Sequence, residues 1–421
     1  MADPNPNPNP SVPSSDTPYQ PYMDVKPPPG FSRSHPDGRP LTEADVEAQE
    51  ASQKANRLAT PEPKNFGVAF PDNLPTPPFV HVQGVPNFRE LGGYRCQPPS
   101  SASDSAADGS PTSTYALRRG LLFRCAHPTH LTPTGAEYLT KTLNVHDVYD
   151  LRSLPEITRL AATVTNSGKD VYPLADPKTG CVDHYPGLTR HFTPVYQTED
   201  YGPVALATKL AWYTTVHMHD EEVGFAYSEG FVKAYRDIAT HGATQAYAVM
   251  FRHLLETPSD PLLFHCTAGK DRTGVFAALV LKLIGVDEDT ICWEYALTEP
   301  GLGEWRSQFI DRMTQTGLGS GGGSNAPDRP QKIYIGKDRP GMTREEAALI
   351  CGSRAGNMRA FLKTVLEAEF GGVEKYLVDK CGLNPDEVQR LRDSLIVKLP
   401  EDQVVTPSAI DGWTPDGGCV D

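Results

Sequence analysis

A cysteine and an arginine with five residues between them, Cys266 and Arg272, stand in the run Leu262-Leu263-Phe264-His265-Cys266-Thr267-Ala268-Gly269-Lys270-Asp271-Arg272-Thr273-Gly274. The apolar stretch from Leu262 to His265 reads as a buried strand and the one from Thr273 to Ile284 as a helix, so the residues between them form a strand-to-helix loop. A loop of that kind is an anion cradle. The backbone N–H groups of Thr267, Ala268, Gly269, Lys270, Asp271 and Arg272 can point inward as a nest, and the helix N-terminus adds positive potential. Gly269 permits the tight curvature, and Gly274 lets the helix pack closely on the sheet.

Cys266 and Arg272 can then face one phosphate, the sulfur in line with the leaving oxygen and the guanidinium across two equatorial oxygens. A lysine cannot make that bidentate match. The loop amides and the helix dipole favour a thiolate over a thiol. The reaction this arrangement allows is attack of Cys266 on phosphorus, giving a thiophosphate ester that water hydrolyses while the Thr273 hydroxyl donates to the departing sulfur. The cradle itself supplies the positive field, so neither a metal nor a cofactor is expected. Lys270 places a further positive charge beside it, the plain alternative being a solvated side chain. A nucleotide-binding loop would need glycine at Phe264 and Ser or Thr at Asp271. A sulfurtransferase loop need not carry Thr273-Gly274, and a merely structural cysteine does not call for the whole frame. Gly336 to Arg339 repeats Gly-Lys-Asp-Arg without a cysteine ahead of it and is expected to be inert.

The elements that must position this loop belong to a chain of 421 residues with a net charge of −14, a balance that disfavours nucleic acid and anionic membranes as partners. Of 40 prolines, 12 fall within the first 40 residues, where little apolar material is available to bury; residues 1–75 therefore read as a disordered arm and an interaction segment. Within it, Leu41 to Leu58 permits a helix, either solvated or docked on a partner. No secretory or membrane-spanning pattern is visible. The eight cysteines include no C-x-x-C pair, which argues against zinc and against a disulfide scaffold. A reducing compartment is expected, the cytoplasm with the nucleus left open.

From residue 76 to about 400 the composition is that of one folded domain, interrupted by polar inserts at 97–114 and 317–330 and followed by a tail at 401–421. Strand-like runs such as Val145 to Leu151 alternate with helical ones. The fold expected is α/β, a central and largely parallel sheet flanked by helices. Apolar residues at helical spacing, Phe231, Tyr235, Ile238, Tyr247, Met250, Phe251 and Leu254, read as core on two helices broken near His241-Gly242. Thr343-Arg344-Glu345-Glu346 matches a capping box, and Asn384-Pro385 opens a further helix.

The loop resembles that of the cysteine-dependent protein-tyrosine phosphatases, and of their atypical bacterial and fungal tyrosine and lipid branch in particular. Asn87-Phe88-Arg89-Glu90-Leu91-Gly92-Gly93-Tyr94, Arg119-Gly120-Leu121-Leu122-Phe123-Arg124, Asp150-Leu151-Arg152-Ser153 with Glu156, and Phe370 to Leu377 with Leu383 to Leu395 are similar to further motifs of that branch. The resemblance covers about residues 79–398. It implies a tyrosine-phosphatase-like fold and a phosphate-monoester hydrolase acting on phosphotyrosine in phosphoproteins, with phosphoinositide or inositol phosphate as the alternative, which Lys270 keeps open. A silent phosphate-binding scaffold is the alternative of another class. No Trp-Pro-Asp acid loop precedes Cys266; the branch places its proposed general acid inside the loop, which maps onto Asp271, with Asp150 as the rival. Ion pairing with Arg152 is the plainer role for Asp150, and loop stabilisation is the plain alternative for Asp271. The aromatic segment from His184 to Phe225 stands where the branch places a lid, and core packing accounts for its rings equally well.

Overall fold

The computed structural model describes residues 71, 73–99, 113–167, 171–197, 216–217, 225–315 and 343–419. The expected arm up to residue 70, the helix over Leu41–Leu58, most of the first insert, the second insert, the repeat at Gly336–Arg339 and the rings of Tyr201, Trp212 and Tyr213 lie outside these residues.

A five-stranded sheet forms the centre, built from β1 (Arg89–Glu90), β3 (Leu122–Cys125), β4 (Asp147–Asp150), β5 (Thr189–Phe192) and β6 (Leu262–His265) in the spatial order β1-β3-β6-β4-β5. Only β1 runs antiparallel; β3, β6, β4 and β5 are parallel neighbours, with Cys125 and Asp150 both in register with His265. A late strand is thus inserted between two early ones, and the loops leaving the carboxyl ends of β3, β6 and β4 meet at one edge. Ligands of open α/β sheets bind at such an edge.

β6 is buried along its whole length, as a strand covered on both faces must be, and its continuous apolar composition provides for that. The helix that follows, α4 (Asp271–Leu283), is apolar on every side and is buried from Arg272 to Leu281. It packs beneath α2 (Glu229–Gly242) and α3 (Ala248–Glu256), which run into each other through a π-helical turn at Ala243–Tyr247; the break expected at His241-Gly242 is not made, because Gly242 keeps right-handed helical backbone and the helix only widens there. Phe276 on α4 lies 4.9 Å from Phe251, 5.0 Å from Phe264 and 5.4 Å from Tyr247 between ring centroids, so the aromatic stripe is core. Further supports include α1 (Leu154–Ser167), α5 (Glu288–Ala296), α6 (Glu304–Gln315), α7 (Arg344–Cys351) and α8 (Pro385–Leu395). The last two open with the full capping boxes Thr343/Glu346 and Asn384/Glu387.

Three boundaries differ from the sequence reading. Leu74 is already part of the core, and β2 (Ser113–Leu117) begins inside the expected first insert because it pairs with β7 (Ile396–Pro400). The segment expected as a tail is packed: Val405, Ile410 and Trp413 are buried, Val405 N–H donates to the Gly93 carbonyl, and Trp413–Thr414 pairs with Gly418–Cys419. Proline and glycine between these apolar residues erase any helical or strand period, which is why the segment reads as loose. Among the described residues no helix is long and apolar enough to cross a membrane. Trp413→Ala should lower unfolding free energy by about 3 kcal/mol or more, the usual loss for a buried tryptophan. Urea denaturation checks this, and an unchanged midpoint would mean the segment is peripheral.

Candidate active site

β6 ends at His265 and α4 begins at Asp271, leaving Cys266 to Lys270 as the connecting loop. What fixes the orientation of that loop is the capture of its carbonyls from behind. The Thr267 carbonyl accepts from the His127 N–H at 3.1 Å, that of Ala268 from Asn87 Nδ2 at 3.0 Å, and that of Gly269 from Arg124 Nη2 at 2.6 Å. A trans peptide points its N–H opposite to its C=O. Holding those three carbonyls on the outer side therefore turns the N–H groups of Ala268, Gly269 and Lys270 to the inner side. Gly269 has φ +65°, and a Cβ there would lie 2.1 Å from the Cys125 carbonyl oxygen, so no other residue fits.

The two capturing side chains, Asn87 and Arg124, are themselves held by one buried carboxylate. Glu294 on α5 accepts from Arg124 Nη1 at 2.6 Å and from Arg89 Nε at 2.7 Å, and both guanidinium groups are fully buried. Arg89 also donates to Thr298 Oγ1 and to Asn87 Oδ1, which sets the Asn87 amide toward the loop. Burial, then repulsion from Arg89, pulls Arg124 down to about 10 against the support of Glu294.

Arg272 is 6% exposed and lies against Glu156 of α1, with Nη1–Oε2 2.6 Å and Nη2–Oε1 2.8 Å. The same carboxylate accepts from Thr267 Oγ1 at 2.9 Å and from the N–H and hydroxyl of Ser153. Burial alone would raise the Glu156 carboxyl, but Arg272 and these donors bring it down to about 2. One side chain thus joins the first residue after Cys266 to the arginine at the far end of the loop. In the sequence Glu156 stands out only as part of a motif; Ser153-x-x-Glu156 has the spacing of a capping box, the one local signal that ties it to the start of α1.

The structure sorts the remaining residues. Asp150 is wholly buried and bonded to Arg152 (Nε 2.9 Å, Nη2 2.7 Å) and Arg190 (Nε 3.0 Å). Burial works against its ionisation, but the two arginines and His265 hold it well below the usual carboxylate range. A carboxylate so held has no proton to donate. The Asp271 side chain is 36% exposed, with Oδ1 3.4 Å from the Tyr295 hydroxyl and 3.6 Å from Lys270 Nζ. Lys270 is neither solvated nor turned outward as a spare charge: it is 4% exposed, and Nζ donates to the carbonyls of Ile350 (2.5 Å) and Gly352 (3.0 Å) at the end of α7, over the Phe231 ring. The C-terminal carbonyls of a helix attract a cation, and here they capture the one expected beside the phosphate. Thr273 Oγ1 is buried with no hydrogen-bond partner among the described residues, so its expected bond to sulfur is not made here. Burial pushes His265 down to about 4 against the pull of Asp150, which leaves it neutral near pH 7, with Nδ1 3.0 Å from the Cys266 carbonyl. Of the aromatic segment, Tyr196 is core and Phe192 is 44% exposed beside Asp150 at the carboxyl edge.

A family model described as "Tyrosine phosphatase family" matches residues 80–397. The Triple specificity protein phosphatase PtpB of Mycobacterium tuberculosis is 28% identical over 295 residues, which cover 69% of this chain and 95% of that protein. A Tyrosine-protein phosphatase of Nostoc commune is 29% identical over 184 residues, 44% of this chain and 55% of the relative.

The depressed Glu156 carboxyl makes a testable contribution to acid stability. Because its folded value lies below the ordinary 4.5, the contribution is complete above about pH 4.5 and is lost as pH falls toward about 2. Glu156→Gln should remove that limb from a plot of urea midpoint against pH and lower turnover by disordering Arg272. A variant whose acid limb matches the parent would show that the pair contributes nothing to folding.

Proposed function

This chain belongs to the tyrosine phosphatase family and is a phosphoric monoester hydrolase, and from that premise we propose that it hydrolyses phosphotyrosine in proteins through a covalent phosphocysteine at Cys266. The observation that supports this reading is the strand-to-helix loop whose carbonyls are held outward, with Cys266 at one end and Arg272 at the other. Inward amides and a guanidinium meet the charge of a phosphoryl group better as it spreads over the equatorial oxygens than in the ground state.

In the first step Cys266 Sγ attacks phosphorus and the ester P–O bond breaks. The departing oxygen takes the proton of Asp271, the more accessible of the two candidate carboxyls. In the second step water attacks phosphorus, gives a proton to the Asp271 carboxylate, and the S–P bond breaks to release inorganic phosphate. The unpartnered Thr273 hydroxyl is the donor available to the sulfur as charge returns to it. Glu156 acts throughout by holding Arg272 and Thr267.

For the substrate class, Lys270 is the residue that kept phosphoinositides open, and its ammonium is engaged by the end of α7. The mycobacterial relative is called triple specificity, so breadth is a question of measurement. We read phosphotyrosine as the preferred group, and turnover of phosphotyrosyl peptides alongside phosphoinositides would test it; faster turnover of the lipid would reverse the order.

Cys266→Ser should abolish turnover and trapping of a phosphoenzyme while leaving the urea midpoint near the parent value. Near-parent activity in that variant would remove the mechanism. Asp271→Asn should slow alkyl phosphates about 100-fold or more, the low end of a general acid's contribution, while aryl esters with acidic phenols lose far less. Equal loss on both ester types would make Asp271 a structural residue.

A further inference from the structure

Asp271 meets two partners through one oxygen, and both are backed by the same helix. Its Oδ1 lies 3.4 Å from the Tyr295 hydroxyl and 3.6 Å from Lys270 Nζ, and the Tyr295 hydroxyl is hydrogen-bonded to that of Tyr235. Tyr235 and Phe231 are four residues apart on α2 and therefore share a face; Phe231 lies under the Lys270 ammonium at 4.8 Å. Both tyrosines are buried, and their rings meet edge to face at 5.8 Å. The Tyr295 ring cannot slide, because Gly274 packs against it so closely that a Cβ there would come within 2.7 Å.

The chemistry of the three groups sets the direction of the hydrogen bonds. An ionised carboxylate only accepts, so Tyr295 donates to Asp271, and its oxygen is then left to accept the proton of Tyr235. When Asp271 is protonated, the same donation occupies Oδ1 and puts the acidic proton on Oδ2, away from the buried pair. We infer that Tyr295, supported by Tyr235, is a positioning residue for the general acid: it fixes the carboxyl of Asp271 so that Oδ2 faces the leaving oxygen. The inference rests on the assignment of Asp271 proposed above. After Asp271 has given its proton to the leaving group, Tyr295 and Lys270 steady the carboxylate until it accepts one from water in the second step. Neither tyrosine touches the substrate.

The test compares an alkyl phosphate with an aryl phosphate of an acidic phenol, in the parent, Tyr295→Phe, Tyr235→Phe and Asp271→Asn. Phenylalanine keeps each ring and removes only the hydroxyl. Tyr295→Phe should reduce kcat for the alkyl ester about tenfold and for the aryl ester by less than about twofold, because a misplaced acid matters only where the leaving group needs a proton. Tyr235→Phe should act in the same sense and more weakly, which keeps the inference testable if Tyr295→Phe folds poorly by its urea midpoint. In the Asp271→Asn background Tyr295→Phe should add no further bias between the esters. Equal losses on both esters, or a bias that persists without the acid, would make the tyrosines ordinary core and overturn the inference. If Asp271→Asn alone treats both esters alike, the assignment of the acid fails, whereas a bias in Asp271→Asn with none in Tyr295→Phe defeats only the role given to Tyr295.

Discussion

The orientation of three peptide planes governs this molecule. A loop between strand and helix becomes an anion site only if its amides face inward, and a flexible loop would turn either way. Here the carbonyls of Thr267, Ala268 and Gly269 are bonded from outside by the His127 N–H, Asn87 and Arg124. Two of those donors, Arg124 and Asn87, depend on Glu294, which holds Arg124 directly and Asn87 through Arg89. Burying three charges carries a large desolvation penalty, offset only when every partner is well placed, so such a group is weak evidence for stability. Its effect is directional: with the donors fixed, the amides are already turned inward, which is the preorganisation that the proposed phosphoryl transfer calls for.

A second buried pair treats the side chains as the first treats the backbone. Glu156 joins Thr267 to Arg272, so the two ends of the loop share a support on α1. The sheet order brings these parts together. With β6 inserted between β3 and β4, the connection after β3 supplies His127, that after β4 supplies Ser153 and Glu156, and that after β6 supplies the loop itself. The same order buries Asp150 beside His265 and between two arginines, which gives it a scaffolding role and leaves Asp271 as the carboxyl nearer solvent.

Local features were legible in the sequence. The strand from Leu262 to His265, the loop and the apolar helix occur within one or two residues of where periodicity puts them, the Thr343 capping box forms as its spacing requires, and Asn384-Pro385 opens a helix as expected. Long-range pairing was not. Arg272 and Glu156 are 116 residues apart, and Arg89 and Glu294 are 205 apart, so spacing carries no trace of either ion pair. The resemblance to known phosphatases marked several of these residues as motif letters without giving their work. Lys270 shows the limit from the other side: its type and place recommend it for a phosphate, while the end of α7, some 80 residues later, engages its ammonium. The packed segment around Trp413 escaped because its buried residues follow no period.

The most direct test of the account is a crystal structure of the protein with vanadate, a mimic of the trigonal-bipyramidal phosphoryl group. Vanadium should be bonded to Cys266 Sγ, its equatorial oxygens on the amides of residues 267–272 and on the Arg272 guanidinium, with the Thr267, Ala268 and Gly269 carbonyls still held from outside. Vanadate seated elsewhere, or a loop whose carbonyls have turned toward the anion, would contradict it.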